Sequence, residues 1–406
     1  MRTLTTFSTI ALLVAAAALP AGAAWQGETV TRDGALTVLN PETPAEGETT
    51  LTPEELWRVG GEDEDVLFGV VAELLHDREG NIYVLDGQIC EIQVFSPAGE
   101  HLRTLGRQGE GPGEFQNATD MFWGPGGQLA VIQAWPGKIV QIRTDGTPGD
   151  GFPLPFREGG GFQAASRGMG LADGEQRQFS YLKAYDAGRR EIASFVETSR
   201  EVRFGGWEFR EENWSDFQRR WTAAGDGRVA AALSFDDYRL HVWNADGSLD
   251  RVIERPGYGA VERTDGERQR FQTLYDRLTF WNPGSTFTVR GTHQAVGQLH
   301  FREDGSLWVQ SGRDQWRPAR KGALGYDVYD REGRFVSRVS LLCDADPVED
   351  GLFFVGDRVY VVTDLFSAVV ASFGGGGDLA LDEEPEPVTV IAYRLPAEDL
   401  ALMGSD

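Results

Sequence analysis

The chain has 406 residues, long enough for one large or two ordinary domains with a sizeable buried core. Its 63 acidic and 38 basic residues leave a net charge of −25, a field that repels nucleic acid and anionic membrane surfaces. With 51 glycines and 11% aromatic residues, the composition excludes a disordered chain and points to a turn-rich globular fold.

Residues 1–23 read as an export leader. Arg2 supplies positive charge, Ile10 to Leu19 is an apolar run too short to span a bilayer, and Ala21 to Ala23 offers small residues for cleavage. The expected product is a periplasmic or secreted monomer with no membrane span and no lipid anchor. An oxidising compartment would allow Cys90 and Cys343, the two cysteines of the chain, to pair. The alternative is that both are small buried apolar side chains.

Residues 24–50 read as an N-terminal extension, with the Pro- and Glu-rich stretch Asn40 to Thr50 as a linker. From His76 a unit begins that returns along the chain. It has a Gly turn, an alternating apolar run (Ile82, Val84), a second run (Ile92, Val94, Phe95), another Gly turn and a third run ending at Leu105. Period-two patterning between tight turns predicts antiparallel strands. The turn glycines recur as Gly80 and Gly99, Gly127 and Gly146, Gly227 and Gly247, then Gly305 and Gly333 in a longer copy. A weaker copy lies between Leu171 and Phe195.

The last copy, from Gly351, holds three strand-like runs. Its outer strand is expected from the other end of the chain, because Leu56 to Phe68 repeats the pattern of Leu102 to Phe115: apolar strand, Gly, acidic loop, Phe. Closing the ring in this way removes exposed sheet edges. The predicted fold is all-β: a six-bladed β-propeller of four-stranded blades over 51–396, the last blade closed by an N-terminal strand, with 397–406 as a tail.

The run "GNIYVLD" from Gly80, with "IQVFSPAGEHLRTLGRQGEGPGEF" from Ile92, resembles the NHL-repeat propellers, and 51–396 as a whole is similar to bacterial exported six-bladed propellers of that kind. The resemblance implies fold rather than activity, since such propellers serve as binding platforms, lyases, lactonases and scaffolds. It also implies that Gly106 to Phe115 is a loop between blades. Local chemistry agrees: Glu110 and Glu114 add negative charge, Pro112 removes an amide, and a strand follows where a phosphate loop would open a helix. Phe115 is expected to plug the space between two blades.

Loops on one face of a propeller surround the mouth of its channel, and any site is expected there. Arg313, Arg317 and Arg320 cluster around Trp316, and Trp135 lies in another such loop. Together they predict a grip on a carboxylate-bearing or carbohydrate-like ligand; the alternative is ion pairing with acidic neighbours. Asp86, Asp236, Asp237 and Asp364 follow second strands, where they could hold Ca²⁺ or cap their own turns. No HExxH and no GxSxG occurs, so no catalytic residue is assigned. The leading expectation is a non-catalytic module that binds a small molecule, glycan or protein through its loop-rich face. The runner-up is a metal-dependent hydrolase or lyase with a carboxylate cluster at the channel mouth.

Overall fold

The computed structural model describes residues 25–61, 66–124, 126–133, 138–153, 163–172, 175–185, 190–201, 208–214, 220–280, 284–373 and 386–396. The leader, Trp135 and the tail lie outside the described residues.

Each repeat with strong alternation folds into hairpins in chain order. Val71–His76, Ile82–Asp86, Glu91–Phe95 and His101–Leu105 form one four-stranded antiparallel sheet. Ala118–Trp123, Leu129–Gln133, Lys138–Ile142 and Phe152–Pro153 form the next. The same order recurs in the sheets that start at Trp221 and Val296. First strands of these sheets lie side by side, 71–76 beside both 118–123 and 351–355, and 221–223 beside 296–301. They therefore surround a common axis, with the later strands radiating outward. The chain is an all-β propeller.

Apolar side chains of adjoining sheets meet between them. Phe115 is fully buried among Tyr83 and Leu85 of one sheet and Met121 and Val131 of the next, at the position expected for a plug. Gly106 makes room for it: φ is +72°, and a Cβ there would sit 2.5 Å from the Phe115 ring. Cys90 and Cys343 are buried free thiols in two separate core clusters.

The last sheet takes a strand from the N-terminal side. Glu54–Gly60 pairs antiparallel with Thr389–Arg394, beside Arg358–Val362 and Gly351–Val355. Trp57 then packs against Phe95 of the neighbouring sheet and Tyr360 of its own.

Two features differ from the sequence expectation. The weak third copy is a three-stranded sheet of long strands, Gln163–Ala172, Glu175–Tyr185 and Glu191–Glu201, with no fourth strand among the described residues. The next described strand, Glu208–Arg210, instead pairs in parallel with Thr286–Thr288, because Phe209 stacks on Phe287, which in turn stacks on Tyr275.

The second difference is the extension expected as a linker, which forms a belt across two sheets. Glu28–Arg32 and Ala35–Leu39 make a hairpin whose second strand lies parallel to Leu249–Glu254. Glu48–Leu51 lies parallel to Phe335–Leu342 of the following sheet. Buried Asn40 joins the two: its amide N donates to Glu254 O, its Nδ2 to Gly333 O, and its Oδ1 accepts from Phe335 N. Composition hid the belt because its apolar anchors are few, mainly Val38, Leu39 and Leu51, around a polar, Pro-containing turn.

Candidate functional site

Among the described residues, four helices sit in the connections that leave second strands or join the sheets: Glu211–Trp214, Asp265–Phe280, Gly312–Trp316 and Leu365–Phe373. Helix Asp265–Phe280 opens with a reciprocal cap. Thr264 Oγ1 accepts from Glu267 N at 3.2 Å while Glu267 Oε2 accepts from Thr264 N at 2.8 Å. Glu267 is thereby fixed in place to take Arg317 in a two-pronged pair, at 2.7 and 2.9 Å. The Arg317 guanidinium holds the Glu267 carboxyl well below the usual carboxylate range.

Glu267 Oε2 also lies 3.3 Å from His293 Nε2. His293 is buried, its Nδ1 accepts from Arg263 Nε at 3.3 Å, and its ring lies against Trp316 with centroids 3.8 Å apart. Burial, with the nearby Arg263 charge acting against protonation, brings the imidazole down to about 4 even though Glu267 pulls the other way. It is neutral at pH 7. Arg263 in turn makes two 2.7 Å bonds to Glu211, which also accepts from Arg290 N at 2.8 Å. Both members of this ion pair are almost wholly buried, so removing either one would strand an unpaired charge.

Of the residues expected to grip a ligand, Trp316 and Arg317 are engaged within the chain although Arg317 stays exposed. Trp316 gives a face to His293 and a tilted contact to Phe271, and both forks of Arg317 are spent on Glu267. In so acidic a chain, Arg317 finds a carboxylate of its own chain at contact distance. Arg313 lies 4.8 Å from the centroid of Tyr258 and 3.8 Å from Glu42, and Arg320 is exposed.

The four aspartates occupy four different settings. Asp86 is fully buried and accepts from the amides of Gly69, Val70, Gln88 and Ile89 at 2.6 to 3.3 Å, which makes it the cap of two turns. Asp236 pairs with Arg290 and accepts from Thr292 Oγ1, and Asp237 bonds Ser234 Oγ at 3.0 Å. Asp364 has φ of +52°, its amide donates to Asp350, and burial together with Glu386, Glu349 and Asp346 raises its carboxyl. Among the described residues, no three His, Cys, Asp or Glu side chains are placed to hold a metal ion.

A polar layer in the channel wall is the feature that sequence reading missed. In four sheets a hairpin glycine donates to the carbonyl three residues before it, at Asp77, Gly124, Ala224 and Arg302. Counting back four residues from each gives Glu73, Asp120, Arg220 and Gln298. Glu73, Asp120 and Gln298 lie on the first strands and Arg220 immediately before one, near the end that the connecting loops enter. Burial and the Asp120 charge push Glu73 well above its usual range, and burial pushes Asp120 up to about 6. Arg220 is buried and donates to Ser234 O at 2.5 Å. His300, two residues beyond Gln298, shares a 3.3 Å contact with its Oε1 and is brought down to about 3 by burial. The signal was present in the sequence as an acid inside an apolar first strand, four residues ahead of a turn.

A model of the DUF5128 family, described as a 6-bladed beta-propeller, matches residues 63–157. No curated protein matches the chain by sequence. Among solved structures, a Bacteroides vulgatus protein of the DUF4221 family is similar at 7% identity over 85% of this chain and 98% of that one, with a TM-score of 0.47. A Bacteroides fragilis protein named as a candidate exported protein is 13% identical over 86% and 100%, with a TM-score of 0.44. Virginiamycin B lyase from Staphylococcus aureus is 9% identical over 82% and 98%, with a TM-score of 0.38.

Proposed function

We propose that this protein is an exported, six-bladed β-propeller that binds a small polar ligand at the mouth of its channel and performs no reaction on it. The repeat count and the description of the matching family model support six blades, and the leader supports export. The observation that carries the binding reading is the pair of acids Glu73 and Asp120 on adjoining first strands, close enough that the Asp120 charge helps raise Glu73. Two neighbouring carboxyls that burial pushes toward the protonated form offer donors and acceptors together, a match for ammonium or hydroxyl groups on a ligand. Above it, the Arg317–Glu267 and Arg263–Glu211 pairs stiffen the rim, so Trp316 and Arg317 act as supports of the site.

Saturation-transfer NMR with glucosamine as the probe tests this reading. Binding to the wild type that is lost in both Glu73→Gln and Asp120→Asn is the expected result. Equal binding by all three proteins places recognition elsewhere, and conversion of the probe into a product moves the reading to the hydrolase or lyase class.

A further inference from the structure

The belt carries one acidic side chain onto a pair of guanidiniums. Glu42, in the turn between Ala35–Leu39 and Glu48–Leu51, lies over Gly257, where a Cβ would sit 2.8 Å from Glu42 Oε1. Its Oε2 is 3.4 Å from Arg255 Nη2 and 3.8 Å from Arg313 Nη1. Charge-assisted bonds of this kind close to about 2.7–2.9 Å when geometry allows. The Glu42 carboxylate is thus shared between two cations and fully gripped by neither.

Neither cation is placed to close the gap. Arg255 is fully buried, bonded to Asp327 at 2.5 Å and ringed by Tyr238, Tyr258 and Phe335 at 4.7 to 5.5 Å. Arg313 lies on the Tyr258 ring, and its amide donates to the Tyr258 hydroxyl at 2.8 Å. A cleft of about 190 Å³ reaches Arg255 and Tyr258 and is lined also by Tyr238, Arg239 and Pro256, while Glu42 and Arg313 lie outside its lining. The carboxylates that also line it are engaged elsewhere: Asp236 with Arg290, Asp237 with Ser234, Glu254 with Arg239 and Arg32. Glu42 is 43% exposed, so a change of its rotamer would withdraw the carboxylate while its backbone carbonyl keeps the 3.1 Å bond from Arg255 Nη2 and the belt strands stay paired.

We propose that Glu42 is a built-in stand-in for the carboxylate of a small-molecule acid, which binds between Arg255 and Arg313 against Tyr258 when Glu42 swings out. The site is separate from the channel layer and does not depend on it. The belt then acts as an internal competitor that sets the ligand concentration at which the site fills.

Isothermal titration of the full chain with glucuronate and succinate, and with glucose and succinamide as neutral counterparts, tests the proposal. Glu42→Gln keeps the shape and removes the competing charge, so at least one acid should bind it about tenfold or more tighter than it binds wild type, while the neutral molecules stay unbound. Adding Arg313→Gln should cancel that gain. A response to glucuronate alone identifies a sugar acid, and one to succinate alone a simple diacid. The proposal is overturned if no acid binds Glu42→Gln tighter than wild type, or if Arg313→Gln leaves affinity unchanged. A lowered Tm in Glu42→Gln without carboxylate binding would make Glu42 a structural clasp.

Discussion

The imidazole of His293 lies flat on the indole of Trp316, ring centroids 3.8 Å apart and planes 16° from parallel. This contact joins a strand-connecting loop to the short helix Gly312–Trp316, and through Glu267 it also ties in the helix Asp265–Phe280. It makes Trp316 part of the rim's interior packing.

The first prediction follows from that burial. His293 is held to about 4 when folded, whereas an unfolded histidine titrates near 6.5. Between those values the unfolded chain binds a proton that the folded chain does not, so stability rises with pH. The contribution is complete above about pH 6.5 and is lost as pH falls toward 4, an effect of about 3 kcal/mol. Urea unfolding of wild type and His293→Gln across pH 4 to 7 should show a shallower pH slope in the variant. An NMR titration midpoint near 6.5 for His293 would contradict the assignment.

The second prediction has the opposite sign. Asp120 is raised to about 6 by burial, so the folded protein keeps a proton there that the unfolded chain releases near 4. Its stabilising effect is present at low pH and is lost as pH rises through 6. Asp120→Asn should therefore gain about 3 kcal/mol relative to wild type at pH 8, but little at pH 4. A gain of equal size at both values would show that the carboxyl is not held protonated. Such a gain would also fit a residue kept for binding at a cost in stability.

A third prediction concerns Asp86. Its carboxylate serves four backbone amides in two turns, and Asp86→Ala leaves those donors without their acceptor. Each buried orphan costs about 1–3 kcal/mol, part of it recovered by water, so a total loss of about 4 kcal/mol is expected. Thermal unfolding with and without millimolar Ca²⁺ at matched ionic strength checks the role. A Ca²⁺-dependent rise in Tm in wild type that Asp86→Ala abolishes would restore a metal role for this residue.

Much of the propeller was legible in the sequence because its repeats are local. Alternation around Ile82 and Val84, and glycines that must adopt positive φ at the hairpin turns, specify strands within a few residues of one another. The plug residue Phe115 could be read for the same reason, since Gly106 and Phe115 form one short loop. Partnership across long separations was harder. Arg317 finds Glu267 50 positions away, Arg263 finds Glu211 at 52, and Asn40 finds Phe335 at 295.

By itself the sequence determined strand hairpins, their turn chemistry and their order around a ring, because these follow from period-two burial and local backbone preference. Only the tertiary structure decided which charges face one another. It paired Arg317 with Glu267, brought Glu73 near Asp120 on adjoining first strands, and laid Glu42 between Arg255 and Arg313. Pairing at this range depends on where separate elements are packed, and residue type alone does not encode that placement.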